Sequence, residues 1–294
     1  MKPQRPSVGA LALTLLLILG GLAGQVSLKT QGATSSHENS SNVQSQQNYG
    51  KLPLSFVPNV GQTEAAVRFQ VNSLGGTLFF TSGEVVLALP QGKKNVRSEI
   101  GEQHIAMTEQ DDQMESAPLV VRMRLIGAAA EAEIAGTDAL PGVVNYFIGN
   151  DATQWHADIP TYAGIAYQDV YPGIDLRYDG HEGRLKGTYT VAAGVDPNAI
   201  RWRYEGNSGL SIDGQTGDLL IALGNGNVLR EAAPTAWQEK VGAREPIETR
   251  YALDGETVRF EIGAYDARLP LVIDPEFEYS TYLGGLLGAR GCAV

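Results

Sequence analysis

The chain predicts an all-β protein, an antiparallel β-sandwich-like body of one or two packed sheet units. Three observations carry that expectation. Apolar side chains recur at every second position, the period of a half-buried strand, rather than at about every 3.6. Aromatic and β-branched residues gather in short runs, as pleated, half-buried surfaces favour. Turn formers are abundant, with 35 Gly and 14 Pro among 294 residues, which suits many short strands. No helices alternate with the strands, so a parallel α/β fold is not expected.

The N-terminus reads as a signal peptide over residues 1–24. Lys2 and Arg5 form a short basic region, Leu11–Leu19 an apolar core, and Gly20, Gly21, Ala23 and Gly24 a small-residue cleavage region. The apolar run is near the short limit for crossing a bilayer, which takes about 20 residues. A cleaved signal is therefore the reading, and an uncleaved anchor the alternative. Leu22-Ala23-Gly24 begins like a lipoprotein box, but Gln25 follows where a cysteine thiol is needed. Residues 25–49 are rich in Ser, Gln, Asn and Thr. They cannot bury enough apolar surface to offset ordering and read as a disordered polar linker.

An all-β domain is expected over 50–275. Glu64–Phe69 is its best helix candidate and is too short to stand as one. Leu78-Phe79-Phe80 and the alternating Val85, Leu87 and Leu89 flank the turn Thr81–Glu84, which makes a hairpin. Gln91–Ala117 is a polar loop insertion; His104 lies in it as a solvated side chain. Leu119, Val121, Met123 and Leu125 face inward, with Arg122 and Arg124 outward. Ile174, Leu176 and Tyr178 alternate likewise, as do Ile200, Trp202 and Tyr204 against Arg201 and Arg203. Leu219–Leu223 and Val228–Arg230 flank Gly224–Asn227, residues that tolerate positive φ. Tyr251 and Leu253 pass through Asp254-Gly255 into Val258, Phe260 and Ile262, and Leu271–Ile273 ends the run.

Net charge is −11, and removal of Lys2 and Arg5 makes the balance more negative. Such a body repels phosphate backbones and anionic lipid, so no nucleic acid partner and no membrane insertion beyond the N-terminal segment are expected. The single cysteine, Cys292, allows no internal disulfide and reads as incidental to the tail, with cross-linking of two chains as the alternative.

Several segments together carry a resemblance. They are Phe56, Asn59, Gly61, Gln62 and Thr63 with Val67-Arg68-Phe69, then Asn145–Asn150, Trp155 and Ile159–Tyr162. Val170–Leu176, Val195-Asp196-Pro197 with Ile200, Gly263–Asp266, Leu271–Pro275 and Tyr279–Gly285 follow. On these residues the chain resembles, from about Leu52 to Gly285, the N-terminal domain of bacterial secreted or cell-surface proteins with SBBP-type β-propeller repeats. Tyr279–Gly285 looks like the opening strand of a first repeat. The chain then departs from that pattern through Leu286–Val294, so 276–294 reads as a repeat stub with an aberrant tail. Leu185–Tyr189 departs as well, where such domains tend to carry acidic and aromatic residues. The resemblance implies an exported, non-catalytic structural or adhesive module of unknown molecular role, with an unknown surface protein or glycan as partner. It transfers no catalytic, cofactor-binding or metal residues.

The residues themselves offer modest chemistry. Asp169, Asp175 and Asp179 are the best carboxylate set. On one strand Asp175 and Asp179 stand about 13 Å apart, too far for either glycosidase geometry, and turn or solvent roles are favoured. Asp213–Asp218 invites calcium but lacks the spaced ligands of a calcium loop; a polar hairpin turn explains it. His181-Glu182 lacks the second histidine of a zinc helix, since residue 185 is Leu. Ser208 and Ser211 show no nucleophile-turn signature. Trp202 is expected in the core, and Trp155, between Gln154 and His156, is the exposed aromatic candidate; Trp237 is the third. No catalytic residue, cofactor or metal is assigned, and the protein is not read as an enzyme. The alternative function is a carbohydrate-binding or polysaccharide-processing domain using exposed aromatics and carboxylates.

Overall fold

A computed structural model describes residues 54–73, 75–90, 117–181, 184–240 and 242–278. The segments read as a signal peptide (1–24) and a polar linker (25–49), nearly all of the expected polar insertion, residues 279–294 of the expected repeat stub and Cys292 lie outside the described residues; Glu276–Glu278 are described and end the strand Leu271–Glu278. The strands, in chain order, are β1 (Val57–Pro58), β2 (Phe69–Ser73), β3 (Gly76–Phe80), β4 (Glu84–Leu89), β5 (Leu119–Leu125) and β6 (Ile134–Tyr146). Next come β7 (His156–Tyr171), β8 (Ile174–His181), β9 (Arg184–Val191), β10 (Arg201–Glu205), β11 (Asn207–Ile212) and β12 (Leu219–Leu223). The last are β13 (Val228–Lys240), β14 (Ala243–Ile247), β15 (Thr249–Asp254), β16 (Thr257–Ile262) and β17 (Leu271–Glu278). The helical elements among them are two single 3₁₀ turns, Ala152–Gln154 and Pro197–Ala199.

The strands form two antiparallel sheets. One runs β1-β2-β3-β4-β5-β10-β16-β15, the other β11-β12-β13-β17-β9-β8-β7-β6, with β14 added beside β13. Each sheet turns its alternate apolar residues toward the other, and one continuous core forms between them. Tyr167, Tyr171, Phe56, Phe80, Ile200, Ile221 and Ile273 are among its fully buried side chains. The alternation of Ile200, Trp202 and Tyr204, and of Ile174, Leu176 and Tyr178, places all six inside.

The β3–β4, β12–β13 and β15–β16 hairpins have the expected turns. Two expectations are refined. Strand β4 buries both faces, because Val86 and Ala88 pack with Phe79 and Val67 in a second small cluster on the outer side. Glu64–Val67 is a single turn, closed by the Val67 N–H on the Glu64 carbonyl at 3.0 Å, and Phe69 already opens β2.

Chain crossings and tyrosines lock the sheets together. Phe56 exchanges both backbone hydrogen bonds with Tyr162 of β7, at 2.9 and 3.0 Å, just before β1 joins the other sheet. Gly206 alone separates β10 from β11 and carries the chain from one sheet to the other. Its φ is +84°, and a Cβ there would overlap the Val120 carbonyl oxygen, so only glycine fits. Tyrosine hydroxyls bridge the interior. Tyr167 donates to the Thr81 carbonyl at 3.0 Å, Tyr171 to the Arg201 carbonyl at 2.9 Å and Tyr251 to the Ala232 carbonyl at 3.0 Å. Each ring adds apolar burial while its polar tip finds a partner on the opposite side.

Candidate functional site

The tip of the β6–β7 hairpin gathers exposed apolar side chains. Phe147 is 60% exposed, Ile148 55%, Val143 53% and Trp155 44%. The Phe147 and Trp155 rings meet edge to face at 5.4 Å between centroids. Trp155 closes the 3₁₀ turn that Asp151 caps by accepting from the Thr153 N–H at 2.9 Å, and its indole N–H donates to the Gly149 carbonyl at 3.3 Å. The tip is anchored at its base. The Asp158 N–H donates to Asn145 Oδ1 at 2.7 Å, and the Tyr146 hydroxyl accepts from Gln70 of β2. The His156 ring sits against Gly61, where an added Cβ would lie 3.1 Å from the imidazole. A hydrophobic patch held this firmly has the character of a contact surface.

The carboxylates singled out from the sequence are occupied by backbone N–H groups or by arginines. Asp169 does approach Asp175, but through its own N–H, which donates to Asp175 Oδ1 at 2.8 Å. The Asp169 carboxylate accepts from the Gly173 N–H at 3.0 Å and shapes the β7–β8 turn. Asp179 faces Arg177 at 3.5 Å, and Arg177 also reaches Asp138 at 2.6 Å. Asp213 accepts from the N–H groups of Gln215 and Thr216 at 2.8 and 3.2 Å. Asp218 takes the Ala233 N–H at 2.7 Å and pairs with Arg230. Those bonds make 213–218 a closed polar hairpin turn. His181 ends a strand and not a helix, and Glu182 lies outside the described residues. Ser208 and Ser211 are exposed on β11. Trp202 is buried, and Trp237 is covered by the Arg244 guanidinium 4.6 Å above its ring.

One group in the interior has no counterpart in the sequence reading. Glu231 of β13 is buried in the core among apolar side chains. It shares the inward face of its strand with Leu229, and its backbone pairs with Leu219 and Phe277. The Tyr204 hydroxyl donates to its Oε1, while Oε2 finds no partner among the described residues. Burial pushes the carboxyl up to about 7, against the opposing pull of the Tyr204 hydroxyl. A cavity of about 60 Å³ lies beside it, lined from both sheets by Leu87, Met123, Tyr178, Tyr189 and Trp202 among others. The Trp202 indole N–H is buried without an acceptor among the described residues. The available signal was parity: Leu229 and Glu231 stand two apart, so an inward Leu implies an inward Glu.

Among the described residues, no group of three or more His, Cys, Asp or Glu side chains gathers to hold a metal ion. No helix there is long and apolar enough to cross a membrane.

A family model described as a domain of unknown function, DUF7948, matches residues 56–276. The chain belongs to this family. No curated protein and no solved structure matches the chain. Asn59, Gln62 and Asp196, among the residues that carry the resemblance, fall inside the DUF7948 domain and hold its turns. Asn59 Nδ2 donates to the carbonyls of Glu64 and Val67, both at 2.9 Å, and its Oδ1 accepts from the Gly61 N–H at 3.0 Å. Gln62 ties Val60 N–H and the Pro58 carbonyl at 2.7 and 2.8 Å. Asp196 caps the 3₁₀ turn that starts at Pro197. In the DUF7948 domain these side chains shape loops, and none of these bonds assembles a reacting constellation.

Proposed function

We propose that this DUF7948 protein is an exported, non-catalytic structural or adhesive module whose contact element is the β6–β7 tip. The observation that carries the reading is the Phe147–Trp155 pair, exposed on an anchored hairpin of a rigid two-sheet body. Export rests on the basic and apolar N-terminal segments around Lys2, Arg5 and Leu11–Leu19. A place ahead of β-propeller repeats rests on the sequence likeness ending in Tyr279–Gly285.

The second reading, a carbohydrate-binding domain, is favoured by Trp155 itself, since an exposed indole suits stacking on a sugar ring. Polysaccharide processing has weaker support, because Asp169, Asp175 and Asp179 each serve a turn or an ion pair. A glycan array probed with the full chain separates the two. Saturable micromolar binding that Trp155→Ala removes establishes the carbohydrate reading. Adhesion to protein-coated surfaces with an empty array supports the protein-contact reading, and failure of both overturns the tip as a contact element.

A further inference from the structure

We propose that the outward face of the eight-stranded sheet binds an anionic polysaccharide along a stripe of arginines. The site goes beyond the contact role of the hairpin tip, lies on the other sheet and uses none of the tip's residues.

Strand parity builds the stripe. Val121, Leu125, Trp202, Tyr204, Tyr251, Val258 and Phe260 turn inward, so Arg122, Arg124, Arg201, Arg203, Arg250 and Arg259 turn outward. These six arginines cross the neighbouring strands β5, β10, β16 and β15. Two cross-strand pairs set like charges directly opposite, Arg203 against Arg124 and Arg201 against Arg259, an arrangement that destabilises a sheet. The carboxylates do not balance them. Glu84 is shared by Arg122 and Arg124 at 2.8 and 3.1 Å, and Glu205 by Arg124 and Arg203 at 3.3 and 2.9 Å. Glu261 is shared by Arg250 and Arg259 at 2.6 and 3.1 Å. Arg201 donates to the Asn198 carbonyl at 3.0 Å and pairs with no carboxylate among the described residues. Within the stripe, three glutamates against six arginines leave three positive charges in excess, in a chain whose net charge is −11. Glu248, just before β15, and Asp254, at its end, flank the stripe.

The arrangement selects the ligand. Arginine forks hold carboxylates and similar oxyanions bidentately. Neighbouring strands stand about 4.8 Å apart and alternate residues about 6.8 Å apart, so anion sites recur at the spacing of single sugar residues. The stripe crosses about 14 Å of sheet. At its β15 end Arg250 and Arg259 line an open groove of about 430 Å³ with Asn198, Glu248 and Glu261. An extended chain fits that track. Between the arginines lie Thr257 and Ala252, which offer a protein partner no large apolar anchor. A nucleic-acid duplex or an anionic bilayer would also confront the acidic remainder of the body. A stiff chain of uronate or sulfated sugars presents spaced anions to the stripe alone and loses little conformational freedom on binding.

The test is calorimetric titration of the full chain with polygalacturonate, heparin, neutral dextran, polyglutamate and duplex DNA. At least one of the two anionic polysaccharides is expected to bind saturably, about tenfold or more tighter than polyglutamate or DNA, and more weakly as salt rises. Dextran should not bind. Tighter binding of polygalacturonate assigns uronate sugars, and of heparin sulfated ones. Arg201→Gln with Arg203→Gln removes both like-charge pairs and leaves Glu84, Glu205 and Glu261 each an arginine partner. That variant should bind about tenfold or more weakly, while its unfolding midpoint holds or rises. Phe147→Ala with Trp155→Ala should leave this binding intact, which separates it from the tip. Unchanged binding with a lower midpoint in the arginine variant, as for side chains that serve the fold alone, overturns the proposal. So does the absence of saturable binding to either polysaccharide, or equal affinity for polyglutamate or DNA, in the native protein, outcomes that stand even if the variant fails to fold.

Discussion

The Tyr204 hydroxyl donates to Oε1 of Glu231 across the interior, from a strand of one sheet to a strand of the other. The bond places a carboxyl where four tyrosines, Tyr178, Tyr189, Tyr204 and Tyr251, all feel its charge. These are the titratable groups packed around it, and burial holds each of them neutral far into alkaline solution. Among the described residues Glu231 is therefore the core group that changes charge near neutrality.

The pH dependence follows with a definite sign. In the unfolded chain the carboxyl ionises near 4.5, in the folded protein at about 7. Between those values the folded protein keeps a proton that the unfolded chain has released. The stabilisation is whole below about 4.5 and is lost as pH rises through about 7. At about 1.4 kcal/mol per unit, the loss is on the order of 3 kcal/mol. Glu231→Gln cannot ionise, so its stability relative to the native protein should rise by that order between about pH 4 and about pH 8. Urea unfolding of both proteins across the range checks it; parallel curves would refute it.

Gln238 of β13 is fully buried and closes the loop between β16 and β17. Its amide donates to the carbonyls of Asp266, Leu269 and Pro270 at 2.8, 3.1 and 3.3 Å, and its oxygen accepts from the Asp266 N–H at 2.8 Å. Gln238→Ala strands these groups and should destabilise the fold by about 3 kcal/mol. Urea unfolding gives the magnitude, and hydrogen exchange at the Asp266 amide should quicken more than in the β8–β9 pair.

Gly206→Ala meets two penalties at the sheet crossing. The left-handed backbone costs a non-glycine residue about 1–2 kcal/mol, and the new methyl group collides with the Val120 carbonyl. A loss of about 3 kcal/mol or more is expected in chemical denaturation. Gly255→Ala, also at positive φ but with open space around its Cβ, should lose only the backbone part.

Strands β8 and β10 were legible because each alternates without interruption, and inward Ile, Leu, Trp and Tyr side chains announce themselves. Strands β6 and β7 were not. Their pairing slips between Ala139 and Val143, between Val144 and Tyr146, and between Tyr167 and Tyr171. Asp138, Asp158 and Asp169 take positive φ at or beside these irregularities. Each bulge resets the in–out phase, so period two fades over the strand as a whole. The same happens in β13, whose register shifts between Ala232 and Thr235. Glu231 is illegible for a further reason: a carboxylate next to Arg230 reads as solvent-facing until tertiary packing supplies Tyr204. Trp155 stood out from its polar neighbours, but Phe147 joined it only through the return of the hairpin.

The central claim is that the β6–β7 tip makes contacts while the two-sheet body only holds it in place. The most direct measurement pairs thermal unfolding with surface adhesion for the full chain carrying Phe147→Ala and Trp155→Ala together. Both side chains lie on the surface outside the core, so stability should change by no more than about 1 kcal/mol, while adhesion should fall to background. Adhesion equal to that of the native protein, with folding intact, would contradict the account.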